Sequence, residues 1–210
     1  MDTTRTQMTH VANRTSSGER TPLIVGIGGT DRPESSSERV LRFALDAAER
    51  KGAATILFGA RELDLPMYSP TADKRSSGAV HLIDALAAAD GVIIASPGYH
   101  AGISGLVKNA LDYIEDLRDA DRPYLDGRAV GCIVTAQGGQ AAMATLMALR
   151  SVVHALRGWP TPLAVDVNTA ERLWDDHGNL VNERCASNVE LMVEQVLAFA
   201  GARRLTDAHA

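Results

Sequence analysis

Five apolar runs, each nearly unbroken, alternate along this chain with five stretches of helical periodicity. The runs fall at residues 23–28, 54–58, 91–95, 129–134 and 162–167, and the helical patterns at 37–51, 76–88, 104–117, 139–157 and 183–200. A strand that is apolar at every position, not at every second one, buries both of its faces. Such strands separated by helices make βαβ units. Their crossovers are right-handed, which winds the chain into a three-layer, doubly wound α/β fold around a five-stranded parallel sheet.

The 210 residues suit one domain of ordinary size. With 45% hydrophobic and 22% charged residues, a packed core is expected. A net charge of -5 supplies no basic footprint for nucleic acid. No apolar run approaches the roughly 18 residues that would span a membrane. Residues 1–21 are rich in Thr, Ser, Arg and Asn, lack periodicity, and read as a disordered leader. The domain is expected over 22–202, with a frayed end at 203–210. The two cysteines, Cys132 and Cys185, have no metal-ligand spacing. So few cysteines, with no signal-peptide pattern, point to the cytoplasm.

In an open parallel sheet the ligand sits at the carboxyl ends of the strands. The first such end carries Gly28-Gly29-Thr30-Asp31-Arg32-Pro33-Glu34-Ser35-Ser36-Ser37 and then a helix start. Free N–H groups and the positive end of the helix dipole make this junction an anion site. Hydroxyls of Thr30, Ser35, Ser36 and Ser37 can add donors, and Arg32 a charge-assisted fork. The Gly-Lys-Ser/Thr of a Walker loop is missing. Asp31 also stands where a dinucleotide fingerprint needs glycine, so a terminal phosphate monoester suits the loop better than a nucleoside triphosphate or a pyrophosphate. Taken alone, the same residues also suit a capped Ser-rich turn with no ligand.

The loop after the third strand holds Ser96, Pro97, Gly98, Tyr99 and His100 before a helix start near Ser104. Glycine admits a flat ligand close to the backbone, and the two rings can line its edge or face. By itself such a loop is more often an irregular connection. The loop after the fourth strand, Gln137-Gly138-Gly139, has little side chain with which to cover a ring. No metal ligand set and no catalytic dyad or triad emerges. The fourth helix carries no charge from Gln137 to Leu149, so it is expected to be covered on more than its sheet side, by a partner subunit or by the chain's own loops.

These blocks together resemble the NAD(P)H-dependent FMN reductases of the flavodoxin-like superfamily. The resemblance runs from about Pro22 to Ala200. It is carried by the residue 29–37 loop, by Ser96-Pro97-Gly98-Tyr99-His100, by Gly105-Leu106-Val107-Lys108-Asn109-Ala110-Leu111-Asp112 and by the Gly138-Gly139 turn. It implies a flavodoxin-like sheet of order 2-1-3-4-5. It implies FMN as cofactor, NADPH or NADH as donor, and hydride transfer carried by the flavin with no catalytic side chain. Thr30, Arg32, Ser35, Ser36 and Ser37 would then hold the phosphate. Pro97, Gly98, Tyr99 and His100 would line the ring and ribityl chain, and Gln137, Gly138 and Gly139 would flank the ring. Lys108, Asn109 and Asp112 are assigned to bracing or to a solvated helix face. The implied activity is an FMN reductase supplying reduced flavin, with a separate monooxygenase as possible partner and a homodimer or homotetramer as assembly. Two alternatives are a tightly FMN-bound reductase of a quinone, azo, chromate or pathway substrate, and a flavodoxin-like electron carrier.

Overall fold

The computed structural model describes residues 20–207. In chain order the elements are β1 (Leu23–Gly28), α1 (Ser36–Arg50), β2 (Ala54–Phe58), α2 (Ser77–Ala88), β3 (Gly91–Tyr99), β4 (Gly102–Ile103), α3 (Gly105–Asp112), β5 (Ala129–Ala136), α4 (Gly139–Ala155), β6 (Trp159–Pro160), β7 (Val165–Asn168) and α5 (Glu183–Asp207). The parallel sheet runs β2-β1-β3-β5, and β6 and β7 share the far side of β5. With the fifth strand in two pieces, this is the expected order.

Alternate strand positions feed two cores. Val25, Ile27, Val92, Ile94, Val130 and Val134 pack with α2, α3 and α4 on one face. Ile24, Ile93 and Ile133 pack with α1 and α5 on the other. Complete burial of such a side chain stabilises by about 1.5–3 kcal/mol, which explains why the strands read as unbroken apolar runs.

The structure corrects several boundaries. Residues 162–164 lie outside the fifth strand. The sheet register pairs Val130 with Pro160 and next Ile133 with Val165, so residues bulge out between β6 and β7. Pro162 has no N–H to offer the ladder, and the Leu163 N–H goes instead to Gln195 Oε1 at 3.0 Å. Strand β3 continues past Ala95 to Tyr99 and turns back on β4, where an irregular loop was expected. The third helix tightens into a 3-10 turn at Tyr113–Leu117. The fourth ends at Ala155, and Arg157 adopts a left-handed φ of 61°.

The last helix runs on through 203–207, residues expected to fray. Its Arg204 reaches Asp90 at 3.4 Å, and Arg20, inside the expected leader, reaches the same carboxylate at 2.7 Å. Asp90 also accepts the Leu23 N–H at 2.8 Å. The rest of the expected leader and residues 208–210 lie outside the described residues.

At this amino end of the sheet Arg128 is wholly buried. Its guanidinium donates to the carbonyls of Ala87, Ala89, Tyr124 and Asp126, tying the end of α2 to the approach to β5. Burial lowers its pKa to about 10, so it remains charged at neutral pH.

Asn109 explains part of the third-helix motif. It is buried in α3, and its Oδ1 accepts the Tyr68 N–H at 2.8 Å. Its Nδ2 donates to the Leu65 and Pro66 carbonyls at 3.3 and 3.0 Å. Tyr113 Oη donates to the same Pro66 oxygen at 2.9 Å. One amide therefore pins the long connection between β2 and α2. Lys108 and Asp112 form only an exposed pair at 2.6 Å. Asn109→Ala strips three part-buried hydrogen bonds from the backbone of residues 65–68. It is expected to lower stability by about 1–3 kcal/mol, read as a lower urea midpoint with an unchanged slope.

Candidate functional site

The strand order reverses between β1 and β3. At that point β1 stops opposite Ala95, while β3 and β5 continue. The step leaves a cleft of about 430 Å³ at the carboxyl ends of the strands, within the range of small-molecule sites. Closeness is built in at Gly28, where a Cβ would lie 2.4 Å from the Ala95 oxygen. No side chain fits there, so β1 and the loop after it stay tight against β3.

The first wall is the loop from Gly29 to Ser35. Gly29 takes a φ of +125°, open to glycine at little cost. Thr30 Oγ1 accepts the Arg32 N–H at 3.0 Å and folds the loop on itself. Ser35 caps α1, its Oγ accepting the Glu38 N–H at 3.3 Å and lying 3.2 Å from Ser37 Oγ. Among the described residues, the N–H groups of Ser36 and Ser37 meet no protein acceptor. The first-turn acid, Glu38, would repel an anion, but its carboxylate turns away to Arg42 at 2.6 Å and to the Ala60 N–H at 3.3 Å. Arg32 is exposed at the cleft, and among the described residues its guanidinium pairs with no carboxylate. An unpaired guanidinium, open helix-start amides and three serine hydroxyls form a donor set that fits a phosphate monoester.

The second wall is the β3–β4 hairpin. Gly98 pairs with Ile103 and Tyr99 with Gly102, and His100 and Ala101 make the two-residue turn. Ser96 anchors its base: the hydroxyl accepts the Ser104 N–H at 3.0 Å, and Ser104 in turn caps α3. A Cβ at Gly98 would come within 3.1 Å of Thr145 Oγ1 in α4, so this part of the wall is bare backbone. That buried hydroxyl has no hydrogen-bond partner among the described residues.

The third wall is the turn from β5 into α4. Gly138 is the N-cap of α4 and makes no side-chain cap, and a Cβ there would meet nothing within 4 Å. This edge of the cleft is therefore open.

The cleft brings together Thr30, Arg32, Ser35, Ser36 and Ser37 on one wall, Pro97, Gly98, Tyr99 and His100 on the second, and Gln137 and Gly138 on the third. Gly139 lies outside it and borders a smaller pocket beside Asp166 and Arg184. Thr135, Ala136, Ala141 and Thr169 also line the cleft, and sequence reasoning did not assign them. Thr169 follows the last strand directly, and its N–H donates to the Ala136 oxygen at 2.9 Å. The rule that placed the other loops at strand ends would have found it, had the strand been ended at Asn168.

Arg32 is the one lining residue with a permanent charge. Burial pushes the thiols of Cys132 and Cys185 up to about 12 and about 11, so both stay protonated at neutral pH and neither is a nucleophile. The lining sets anion donors on one side against bare backbone and two rings on the other. Among the described residues no helix is long and apolar enough to cross a membrane.

Residues 22–171 match the family model described as NADPH-dependent FMN reductase. An FMN-dependent NADPH-azoreductase of Staphylococcus haemolyticus is 27% identical over 140 residues, which cover 66% of this chain and 71% of that protein. Among solved structures, the flavoenzyme NAD(P)H:(acceptor) oxidoreductase FerB of Paracoccus denitrificans superposes with a TM-score of 0.71 at 19% identity, over 87% of this chain and 98% of that one. An apo NADH:FMN oxidoreductase, EMOB, superposes with a TM-score of 0.64 at 22% identity, over 87% and 90% of the two chains.

Proposed function

The chain belongs to the NADPH-dependent FMN reductase family, an NAD(P)H-dependent flavin oxidoreductase with FMN as its cofactor, and from that premise we propose that residues 30–37 hold the FMN phosphate while the hairpin and the Gly138 turn hold the ring. The observation that carries this reading is the Arg32 guanidinium, unpaired among the described residues and set beside the open amides of Ser36 and Ser37. Bound FMN supplies the two-electron chemistry. The chain's own part is to fix the phosphate, to line the ring with Pro97, Gly98 and Tyr99, and to leave the Gly138 side clear for a second flat molecule.

The phosphate assignment is tested by binding. FMN should bind far better than riboflavin, since charge-assisted bonds to phosphate contribute about 1.5–3 kcal/mol each. Arg32→Ala should weaken FMN by about tenfold, roughly 1.4 kcal/mol, and leave riboflavin binding unchanged. Equal affinities for the two flavins, followed by fluorescence quenching, would overturn it.

The open edge is tested by Gly138→Trp. The indole would occupy the space over the ring, so stopped-flow reduction by NADPH should slow by about tenfold or more, roughly 1.4 kcal/mol, with a smaller loss of FMN affinity. Reduction at the wild-type rate would show that the donor enters elsewhere.

Similarity to an FMN-dependent NADPH-azoreductase favours the second reading, a bound flavin serving an azo or quinone acceptor. Flavin retained through gel filtration supports that reading. Flavin that exchanges freely supports supply of reduced FMN to a separate monooxygenase. Two buried, unpaired thiols are in keeping with a cytoplasmic setting.

We further propose a homodimer through α3 and α4. Met143 and Met147 are 57% and 60% exposed, one helical turn apart on α4, amid a stretch without charge. Exposed apolar surface costs about 25 cal/mol per Å², and a two-fold contact is the commonest way to cover it. This face starts at the cleft's open edge, so a second copy would stand beside the flavin. Met147→Glu should give monomers with lowered FMN affinity. A monomeric wild type at micromolar concentration, by light scattering, would sink the dimer.

A further inference from the structure

The turn at the tip of the β3–β4 hairpin is made of the wrong residues for its shape. His100 and Ala101 have φ of 49° and 63°. A two-residue hairpin turn with both central residues left-handed favours Asn-Gly, because L side chains crowd the backbone there. Histidine tolerates that region better than most residues, and alanine has no such licence. Five residues other than glycine have positive φ among those described, and Glu34, His100 and Ala101 lie in the two loops that border the cleft. Strained backbone persists where its surroundings over-determine it and its side chains are put to use.

The surroundings here do over-determine it. Gly98 is wedged against α4, Ser96 locks to Ser104, and the pairing of Tyr99 with Gly102 leaves the turn no slack. The side chain so presented is free. His100 is exposed and lines the cleft, and among the described residues neither ring nitrogen has a hydrogen-bond or ionic partner. Tyr99, 55% exposed beside it, has no partner for its hydroxyl among the described residues either. Away from Arg32 the lining carries no permanent charge.

We propose that His100 is a specificity-determining residue for the second molecule that enters the cleft, and that the strained turn exists to hold its imidazole there. The ligand it suits is a flat ring with a carbonyl oxygen at its edge, which accepts a hydrogen bond from a ring N–H. Nicotinamide and a quinone-like acceptor share that chemistry. The proposal rests on the flavin reading above and adds a residue to it.

Three variants test it. Ala101→Gly relieves the turn outside the lining, so it raises the melting temperature of the flavin-free protein and leaves every KM unchanged. His100→Gly relieves the same turn but removes the imidazole. In FMN-loaded protein it should raise the KM for NADPH, for 1,4-benzoquinone, or for both by about fivefold or more, the size of one hydrogen bond, a larger factor than any change in the FMN Kd. The substrate whose KM moves is the one His100 contacts. His100→Asn, a left-handed-tolerant residue with a shorter side chain, repeats the measurement should the glycine variant fold poorly. KM values for both substrates within about twofold of wild type, or no rise in melting temperature for Ala101→Gly, overturns the proposal. Wild-type protein without NADPH turnover would instead refute the flavin reading and leave the melting result to stand on its own.

Discussion

Strand β1 ends at Gly28 opposite Ala95, and β3 carries on without it to Tyr99. The cleft at the carboxyl ends of the strands depends on that mismatch. The unpaired end of β3 is free to fold back as a hairpin and become a wall. The glycine at the step lets the Gly29–Ser35 loop lie against β3 at a distance no side chain would permit. Were the two strands equal in length, the loops after them would meet across the sheet edge and the cleft would close.

The two ends of the sheet divide the work. At the amino ends, polar groups are buried and fully engaged: Arg128 holds four carbonyl oxygens, and Asp90 gathers Arg20, Arg204 and the Leu23 N–H. Such groups are costly to leave unpaired, so their role is to lock the layers together. At the carboxyl ends the polar groups are open. Arg32, Tyr99 and His100 stand without partners among the described residues, and the α4 start has no side-chain cap. The open groups at the carboxyl ends are the ones on which the proposed phosphate and ring contacts draw.

Most of this was legible in the residues, for physical reasons. Apolar runs such as Leu23–Gly28 announce two-sided burial, and Ser35 before Glu38 announces a helix start facing an anion. Less legible were features set by contacts distant in sequence. Nothing near Asn109 shows that its amide seizes backbone at residues 65–68. Nothing in the run 96–101 distinguishes a loop from a hairpin, because His-Ala is not a turn signal. Gly139 shares its composition with Gly138, yet one step along the helix start moves it to another pocket. The family was recognisable from motifs at the strand ends together with the α3 block Gly105–Asp112, in which Asn109 serves packing.

The broken fifth strand has a consequence of its own. A sheet edge with a long row of open N–H and C=O groups is a template on which another chain can crystallise as an extra strand. Here that edge is cut into Trp159–Pro160 and Val165–Asn168, with prolines at 160 and 162 and a bulge between the pieces. Neither piece offers a run long enough to seed growth, so on this side the sheet has a blunt margin. Strand-by-strand growth therefore finds no template on this margin, whatever the concentration of the protein.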